Sequence, residues 1–430
     1  MKLLKNIKKF LSSNTSTKQT LIKNSFWLFV GEGFNKSLMF LLTVLIARYL
    51  GAIGYGKFSF AFSFIGLFVV IADFGLNILT IREIAHNKEL VKKYLENITT
   101  LKIFLGLVTY ILIVITTQFL GKDREIIGLV YLFGIYIIIN SYNDFLRSIF
   151  RAFERMEYET ISKVIQGTVL FIIGSLFIFF NLNIGYITAS YLISAIVGAL
   201  ATIFIIRKKL TIFLLDLDLR FWKNTIEESW PFALSAVFVV IYFRIDSIML
   251  SLMKGDNIVG YYSAAYNLVF TLGILPNLFM VAILPLLSCA FKESKEKLLI
   301  IYKRSLKVIS LIAILIFPIL FLISNWLILF LYGKEYTQSI IIFKILLLAE
   351  FFAYFSYIFL FVLISIKKQW VYTYITGIGV ILNIFLNFLL IPRMSYIGAS
   401  IATVATEFVA FLLLFIYTQK ALSSLGGGSA

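Results

Sequence analysis

Apolar runs of about twenty residues, parted by short polar links, follow one another along this chain from Phe26 to Tyr417. A helix needs about that length to cross the hydrocarbon core of a bilayer, and the pattern predicts twelve crossings. The first six run near Phe26–Tyr49, Phe58–Thr80, Thr99–Leu120, Ile126–Ile149, Ile161–Phe180 and Ile184–Ile206. The second six run near Trp230–Leu252, Tyr261–Leu287, Val308–Leu331, Ile340–Ile364, Val371–Ile391 and Ile397–Tyr417. The expected fold is an all-α membrane protein of two pseudo-symmetric six-helix lobes. Two echoes support duplication. Tyr186-Ile-Thr-Ala-Ser190 and Tyr396-Ile-Gly-Ala-Ser400 each open an apolar run, and Gly51 and Gly56 are matched at a similar offset by Gly255 and Gly260. Paired halves of this kind commonly face each other across a cavity where substrate binds.

The domain reading follows. Residues 1–206 form an N-terminal lobe and 229–420 a C-terminal lobe. Between them, 207–228 form an amphipathic link in which Leu214-Leu-Asp-Leu-Asp-Leu-Arg-Phe-Trp222 mixes charge with apolar side chains, as an interfacial elbow would. Residues 421–430, ending Gly426-Gly-Gly-Ser-Ala430, read as a tail with an appended linker.

Composition agrees. Sixty per cent of residues are hydrophobic and the mean hydropathy is +0.96, more than a soluble chain of this length hides in one core. Lys and Arg outnumber Asp and Glu 39 to 22. In a membrane protein that excess is topological rather than a mark of nucleic-acid binding. With both termini placed in the cytoplasm, basic residues outside the spans favour the inner side roughly four to one. The basic first twenty residues lack the apolar core of a cleavable signal. A lone Cys289 and a lone His86 leave no pattern for disulfide or zinc chemistry. All five prolines, Pro231 to Pro392, fall in the second half, which is therefore better equipped to bend.

Charged groups at membrane depth are costly and usually line a wet cavity or pair with one another. Glu32 and Lys36 lie one helical turn apart and suit either a neutralised pair or a lysine left to meet an anion. Asn140, Asp144, Arg147 and Arg151 share one helix face, the expected wall of a cavity. Arg244 and Asp246 interrupt the seventh run and point to different faces. Asp73 interrupts the second. Lys102 and Lys344 are placed to snorkel toward the bilayer surfaces. Asn383 and Asn387, one turn apart in the eleventh run, and Thr403, Thr406 and Glu407 in the twelfth, offer hard oxygen donors for a sodium ion or a carboxylate for a proton. Helix-to-helix hydrogen bonding is the structural use of such residues.

Several motifs resemble the polysaccharide-biosynthesis transporters, the oligosaccharide flippases of the multidrug/oligosaccharidyl-lipid/polysaccharide exporter superfamily. They are Arg48-Tyr-Leu-Gly51 with Gly54-Tyr-Gly56, Asp73-Phe-Gly-Leu76 with Arg82-Glu-Ile-Ala85, Phe150-Arg-Ala-Phe-Glu-Arg-Met-Glu-Tyr158, Arg244-Ile-Asp246 with Gly260-Tyr-Tyr-Ser-Ala-Ala265, and Ile391-Pro392 before Tyr396-Ile-Gly-Ala399. The resemblance implies a MATE-like pair of lobes around a central cavity in the cytoplasmic membrane. It implies movement of a polyprenyl-diphosphate-linked oligosaccharide by alternating access, for surface polysaccharide or glycan assembly. The expected substrate-binding residues are Arg244 first, then Lys36 and Arg147, with Asp246, Asp144, Asn140, Glu32 and Asp73 around them. The expected ion site is Asn383, Asn387, Thr403 and Glu407. No catalytic residue, metal or cofactor is expected beyond a sodium or proton coupling ion. Besides the substrate and membrane lipids, the expected partners are a polysaccharide polymerase or glycosyltransferases. The alternatives are a cation-coupled multidrug exporter of the same superfamily and a membrane glycosyltransferase or ligase, which would need a larger outer loop or a clustered acid/base site.

Overall fold

The computed structural model describes residues 17–211 and 214–424, and all secondary structure among them is helical. The basic stretch holding Lys2, Lys5, Lys8 and Lys9, and the glycine-rich tail, lie outside the described residues. In chain order the long elements are α1 (Thr17–Gly66), α2 (Val69–Asp73), α3 (Leu76–His86), α4 (Val91–Gln118), α5 (Arg124–Ala152), α6 (Met156–Phe179) and α7 (Ile184–Lys209). There follow α8 (Leu219–Lys254), α9 (Asp256–Leu272), α10 (Ile274–Glu293), α11 (Lys295–Tyr332), α12 (Ser339–Ser365) and α13 (Trp370–Ser424). Ten helical segments among the described residues are long and apolar enough to cross a membrane, against twelve apolar runs in the sequence. The numbers differ because helix continues through two sharp bends. One lies at Gly51 (φ 63), inside α1, and the other at Ser395 (φ 53), inside α13. Each bend separates two of the predicted runs.

The chain divides into two compact units. The first joins the chain up to Ile46 with Ala61–Val237; the second joins Ala47–Phe60 with the chain from Phe238 onward. In both, apolar side chains such as Leu107, Phe179, Leu322 and Phe388 project outward at half exposure or more, as lipid-facing residues do.

The core of the first unit gathers Leu76, Leu95, Ile98, Leu101, Phe145, Leu146, Ile149 and Phe150 with almost no exposed surface. The second predicted run is broken here. α2 ends with Phe74 in the left-handed region (φ 51), and Gly75 (φ 75) starts the next helix. A Cβ on Gly75 would stand 2.6 Å from the carbonyl oxygen of Ser229, so glycine serves both the backbone turn and the close approach of α8. Breaking a helix in hydrocarbon frees carbonyls that must find donors. Lys102 supplies them. Its Nζ donates to Asp73 Oδ1 at 2.8 Å, to Ser141 Oγ at 2.9 Å and to the Ala72 carbonyl at 3.4 Å, while Ser141 Oγ also donates to Ala72 O at 3.1 Å. Lys102 therefore does not snorkel: its side chain is 2 % exposed. The ion pair and freed carbonyl hold it more strongly than distant headgroups would.

We expect Lys102→Met to cost about 3 kcal/mol, because it strips a largely buried carboxylate of its charge partner. Asp73→Asn in the same chain should restore much of that loss. Thermal unfolding of the single and double variants in detergent checks this, and equal losses in both would contradict it.

The link into α8 is tied down through Asn97. That side chain donates to Asp216 Oδ2 at 3.0 Å and accepts from the Asp218 amide at 2.9 Å, and Trp222 Nε1 donates to the Asn97 carbonyl at 3.1 Å. Residues 214–218 are accordingly non-helical, and Leu214, Leu215, Leu217 and Leu219 stand exposed, consistent with an interfacial segment.

In the second unit, the residues just after Gly51 cross the start of α9. A Cβ on Gly56 would lie 1.7 Å from the carbonyl oxygen of Asp256, and one on Gly260 would lie 1.9 Å from that of Ala52. Only glycine lets backbones approach so closely. Glu335 closes the Gly51 bend by accepting from the Ala52 amide at 2.8 Å. Tyr336, fully buried beside it, donates to the Ala47 carbonyl at 2.7 Å. Burial first, then the neighbouring Tyr55 and Glu335, pushes this phenol well above its ordinary range, so it remains a donor at any physiological pH.

Candidate functional site

Two polar clusters interrupt the apolar interior, one in each unit. In the first, the stripe on α5 becomes a connected network with α6. Asn140 Nδ2 donates to Asp144 Oδ2 at 3.2 Å. Arg147 spends its donors on Asp144 Oδ1 (3.2 Å), Ser162 Oγ (3.0 Å) and Gln166 Oε1 (2.6 Å). Gln166 returns a bond to Asn140 Oδ1 at 3.0 Å, which closes the ring. Arg147 is 4 % exposed while the Asp144 side chain is 40 % exposed. The open face of this network is therefore acidic and amide-bearing, with the guanidinium behind it.

One turn further along, Arg151 grips the buried Glu159 with two bonds of 2.9 and 2.6 Å, and Lys163 lies 2.8 Å from the same carboxylate. Arg151 is thus half of a structural pair, which solvation alone would not have made it. Lys163 also donates to Glu32. This changes the reading of α1: Glu32 pairs with α6, leaving Lys36. Half-buried in the middle of its helix, Lys36 has no hydrogen bond or ion pair among the described residues. Asp73 stands apart from this cluster, bound to Lys102 at the helix break.

In the second unit Asp246, 5 % exposed, is the centre of a neutral shell. Its Oδ2 accepts from Tyr262 OH at 2.7 Å and Thr403 Oγ1 at 2.9 Å, and its Oδ1 accepts from Asn387 Nδ2 at 2.6 Å. Asn387 Nδ2 also donates to Asn383 Oδ1 at 2.9 Å. Three of the four predicted ion-site residues meet here around a carboxylate that the sequence placed with the substrate instead. Glu407 lies beside this shell and accepts from Tyr242 OH at 2.7 Å. Thr406 is spent on its own helix, donating to the Ala402 carbonyl. A small cavity, of about 40 Å³, is lined by Asp246, Asn383, Glu407 and Glu350. Arg244, half-buried on α8 two residues before Asp246, is itself engaged in an interaction. Lys344 holds its ammonium 5.2 Å from the centre of the Phe321 ring.

Asn387 Oδ1 is buried with no hydrogen-bond partner, a costly arrangement. Turning the amide over would bring this oxygen to the side of Asp246, where Asn383 Oδ1 and Thr403 Oγ1 already stand. The set then consists of a carboxylate and three neutral oxygens, a donor set suited to a hard monovalent cation. It fits sodium, and Asp246 also offers a place for a proton.

Sequence reading overlooked Glu350, a single acid within the run Ile340–Ile364, and the partners Gln166, Lys163, Glu159, Tyr242 and Tyr262. For Glu350 a signal existed in the lone carboxylate itself, and Glu159 and Lys163 stand four apart on α6; the remaining pairings are between helices and left none.

The sequence model of the family described as polysaccharide biosynthesis protein matches residues 21–291, and that of MatE matches residues 231–389. Among curated relatives, an uncharacterized membrane protein of Methanocaldococcus jannaschii is 24% identical, covering 95% of this chain and 85% of its own length. A "Putative O-antigen transporter" of Shigella flexneri is also 24% identical, over 93% of this chain and 98% of its own. Among solved structures, the inward-facing conformation of a multidrug resistance MATE family transporter of the MOP superfamily matches with a TM-score of 0.76 at 18% identity, covering 92% of this chain and 96% of that one. The chain shares that transporter's fold.

Proposed function

The chain belongs to the polysaccharide biosynthesis protein family, and from that premise we propose that it is a flippase for a polyprenyl-diphosphate-linked oligosaccharide. The family match over residues 21–291 carries this reading, and the likeness to O-antigen transporters along nearly the whole chain supports it. In this proposal the protein lies in the cytoplasmic membrane with both termini inside. Its twelve crossings form two pseudo-symmetric lobes, which work by alternating access without making or breaking a covalent bond. Glycosyltransferases supply its substrate and a polymerase consumes it.

The physical task is to carry a diphosphate through a layer where bare charge is severely penalised, while the lipid tail stays in hydrocarbon. Charge-assisted hydrogen bonds lower that penalty. Lys36 is the group best prepared to make them, because it reaches membrane depth without a partner to give up. Arg147 would have to release Asp144 or Gln166 first, so its role is to hold Asp144 and Asn140 in place for hydroxyl groups of the glycan. Arg244 is the basic group on α8 that stands beside the Asp246 shell in sequence.

Transport is energised, in this reading, by a sodium ion at Asp246, Asn383, Asn387 and Thr403. One charge crossing 100 mV supplies about 2.3 kcal/mol, enough to give direction. The test is translocation of fluorescent lipid-linked oligosaccharide in proteoliposomes. Lys36→Ala and Arg244→Ala should each slow it by about tenfold or more, the scale of losing one charged hydrogen bond. Parent-like rates in both would remove the basic site. Deletion cells that keep their full surface glycan while losing resistance to cationic dyes would overturn the function itself.

A further inference from the structure

Lys163, in the first unit, has two carboxylate partners of unequal kind. Glu159 is completely buried and is already gripped by Arg151 with two bonds of 2.9 and 2.6 Å, so it keeps a full charge partner whether or not Lys163 stays. Glu32 reaches across from α1, and its side chain is 34 % exposed. Its hold on Lys163 is the exchangeable one. When the two part, Glu32 can turn to water and no buried charge is left stranded, which is the outcome that would make such a separation expensive.

α1 and α6 lie side by side at this level. Thr160 Oγ1 donates to the Trp27 carbonyl at 2.8 Å, and a Cβ on Gly31 would stand 2.9 Å from the Thr160 side chain. Lys36 follows Glu32 by one turn, and helical side chains lean toward the N-terminal end of their helix, so Lys36 leans over the turn that carries Glu32. One carboxylate thus stands between two lysines. Lys163 is bonded to it, whereas Lys36 has no hydrogen bond or ion pair among the described residues. A diphosphate brings two anionic groups side by side, one for each ammonium.

Two bare ammonium groups at membrane depth would be costly in the empty protein, and they would hold a diphosphate too firmly to release it. A carboxylate offers an ammonium the same charge-assisted N–H···O bond that a phosphate oxygen does. Glu32 therefore meets both needs. It neutralises Lys163 while the substrate is absent and competes for it when the substrate must leave.

Resting on the flippase reading, we propose that Glu32 is a built-in stand-in for phosphate. Its carboxylate occupies an anion seat on Lys163, and a phosphate oxygen of the substrate displaces it there while Lys36 holds the second phosphate. The ligand chemistry is that of a diphosphate, carried on a lipid or free in solution.

The test uses the full chain in nanodiscs of neutral lipid and equilibrium binding of radiolabelled polyprenyl diphosphate, which carries the headgroup without the glycan. Glu32→Gln should tighten binding about tenfold and Lys163→Met should weaken it by about as much, the scale of one charge-assisted hydrogen bond. The double variant decides between mechanisms. A carboxylate that merely repels the ligand gives the same tightening with or without Lys163, whereas a stand-in loses its effect once the seat is gone, so Glu32→Gln should change binding less than about twofold in the Lys163→Met background. Thermal unfolding shows whether the variants remain folded, and Lys163→Gln takes the place of Lys163→Met should that variant not fold. Displacement of the label by free pyrophosphate, more effective in Glu32→Gln, assigns the seat to phosphate in any carrier. Lipid binding that keeps its dependence on Glu32 but ignores pyrophosphate assigns it to the lipid headgroup. Unchanged binding in Glu32→Gln, or equal tightening in both backgrounds, overturns the stand-in and leaves the flippase reading intact. A parent protein that fails to bind the lipid overturns both readings, and that result is read before any variant is compared.

Discussion

Gly56→Ala and Gly260→Ala should each prevent the chain from accumulating as a folded, monodisperse protein. The added methyl group would fall 1.7 Å from the carbonyl oxygen of Asp256 in the first case and 1.9 Å from that of Ala52 in the second. Carbon and oxygen need roughly twice that distance. The obstacle in each case is backbone, so no rotamer change relieves the clash and the two helical segments must separate. Overpacking commonly costs about 1–3 kcal/mol when side chains give way, and here the cost should exceed that range, because separation would also strain the Gly51 bend closed by Glu335. The contact is reciprocal: Ala52 is the repeat equivalent of Asp256, and Gly56 of Gly260. Each glycine makes room for the carbonyl one turn before the other. Once one alanine has forced the helices apart, the second has little left to disturb, so the double variant should cost much less than the sum of the singles. Gly33→Ala in α1 is the control. Nothing lies within 4 Å of its added Cβ, and replacing a mid-helix glycine favours the helix by about 0.5–1 kcal/mol. Size-exclusion profiles and thermal unfolding of the four variants decide the matter. A Gly56→Ala protein that elutes and melts like its parent would show that the crossing is looser than its geometry implies.

That crossing also shows what a sequence can and cannot disclose. The paired glycines were legible as an echo, because repeated spacing survives in one dimension. Their mutual contact was not, since nothing in the local pattern says that a repeat will cross its own copy. Apolar runs disclosed the helices for the same reason: burial in lipid demands length and composition, both written along the chain. Charge partnerships were read less well. The four-residue spacing left Glu32 and Lys36 either as a neutralised pair or with the lysine free; a carboxylate at membrane depth takes the best cation from any neighbouring helix, and Lys163 on α6 was within reach. Lys102 was expected to snorkel because it lies near the inner end of its run; the broken second run, invisible without Phe74 and Gly75 in their left-handed conformations, offered Asp73 and a free carbonyl. The residue types near Asp246 could be recognised on their separate helices. Their convergence depended on α8, α9 and α13 packing together.

The largest functional loss should follow Asp246→Asn, which we expect to reduce gradient-driven translocation about a hundredfold, the scale of removing a buried charge from a site built around it. The three donors now facing Asp246, from Tyr262, Asn387 and Thr403, can also serve a carboxamide in part. The variant should therefore fold, and the loss should appear in transport rather than in yield. In proteoliposomes made with an inward sodium gradient, the parent should transport faster than with potassium on both sides, and Asp246→Asn should run at the lower rate in either. Asn387→Ala and Thr403→Val separate the two ions. Both remove neutral oxygens that sodium needs and leave the carboxylate that a proton needs, so with sodium as the coupling ion they reproduce the loss. If instead these two variants keep parent rates, and the parent ignores sodium but responds to a proton gradient, a proton at Asp246 is the coupling species and the amide oxygens are structural. A parent indifferent to both gradients would remove Asp246 from energy coupling altogether. The orphaned Asn387 Oδ1 gives the sodium arm its physical basis: a buried amide oxygen without a donor is destabilising alone and becomes useful only when a cation draws it in.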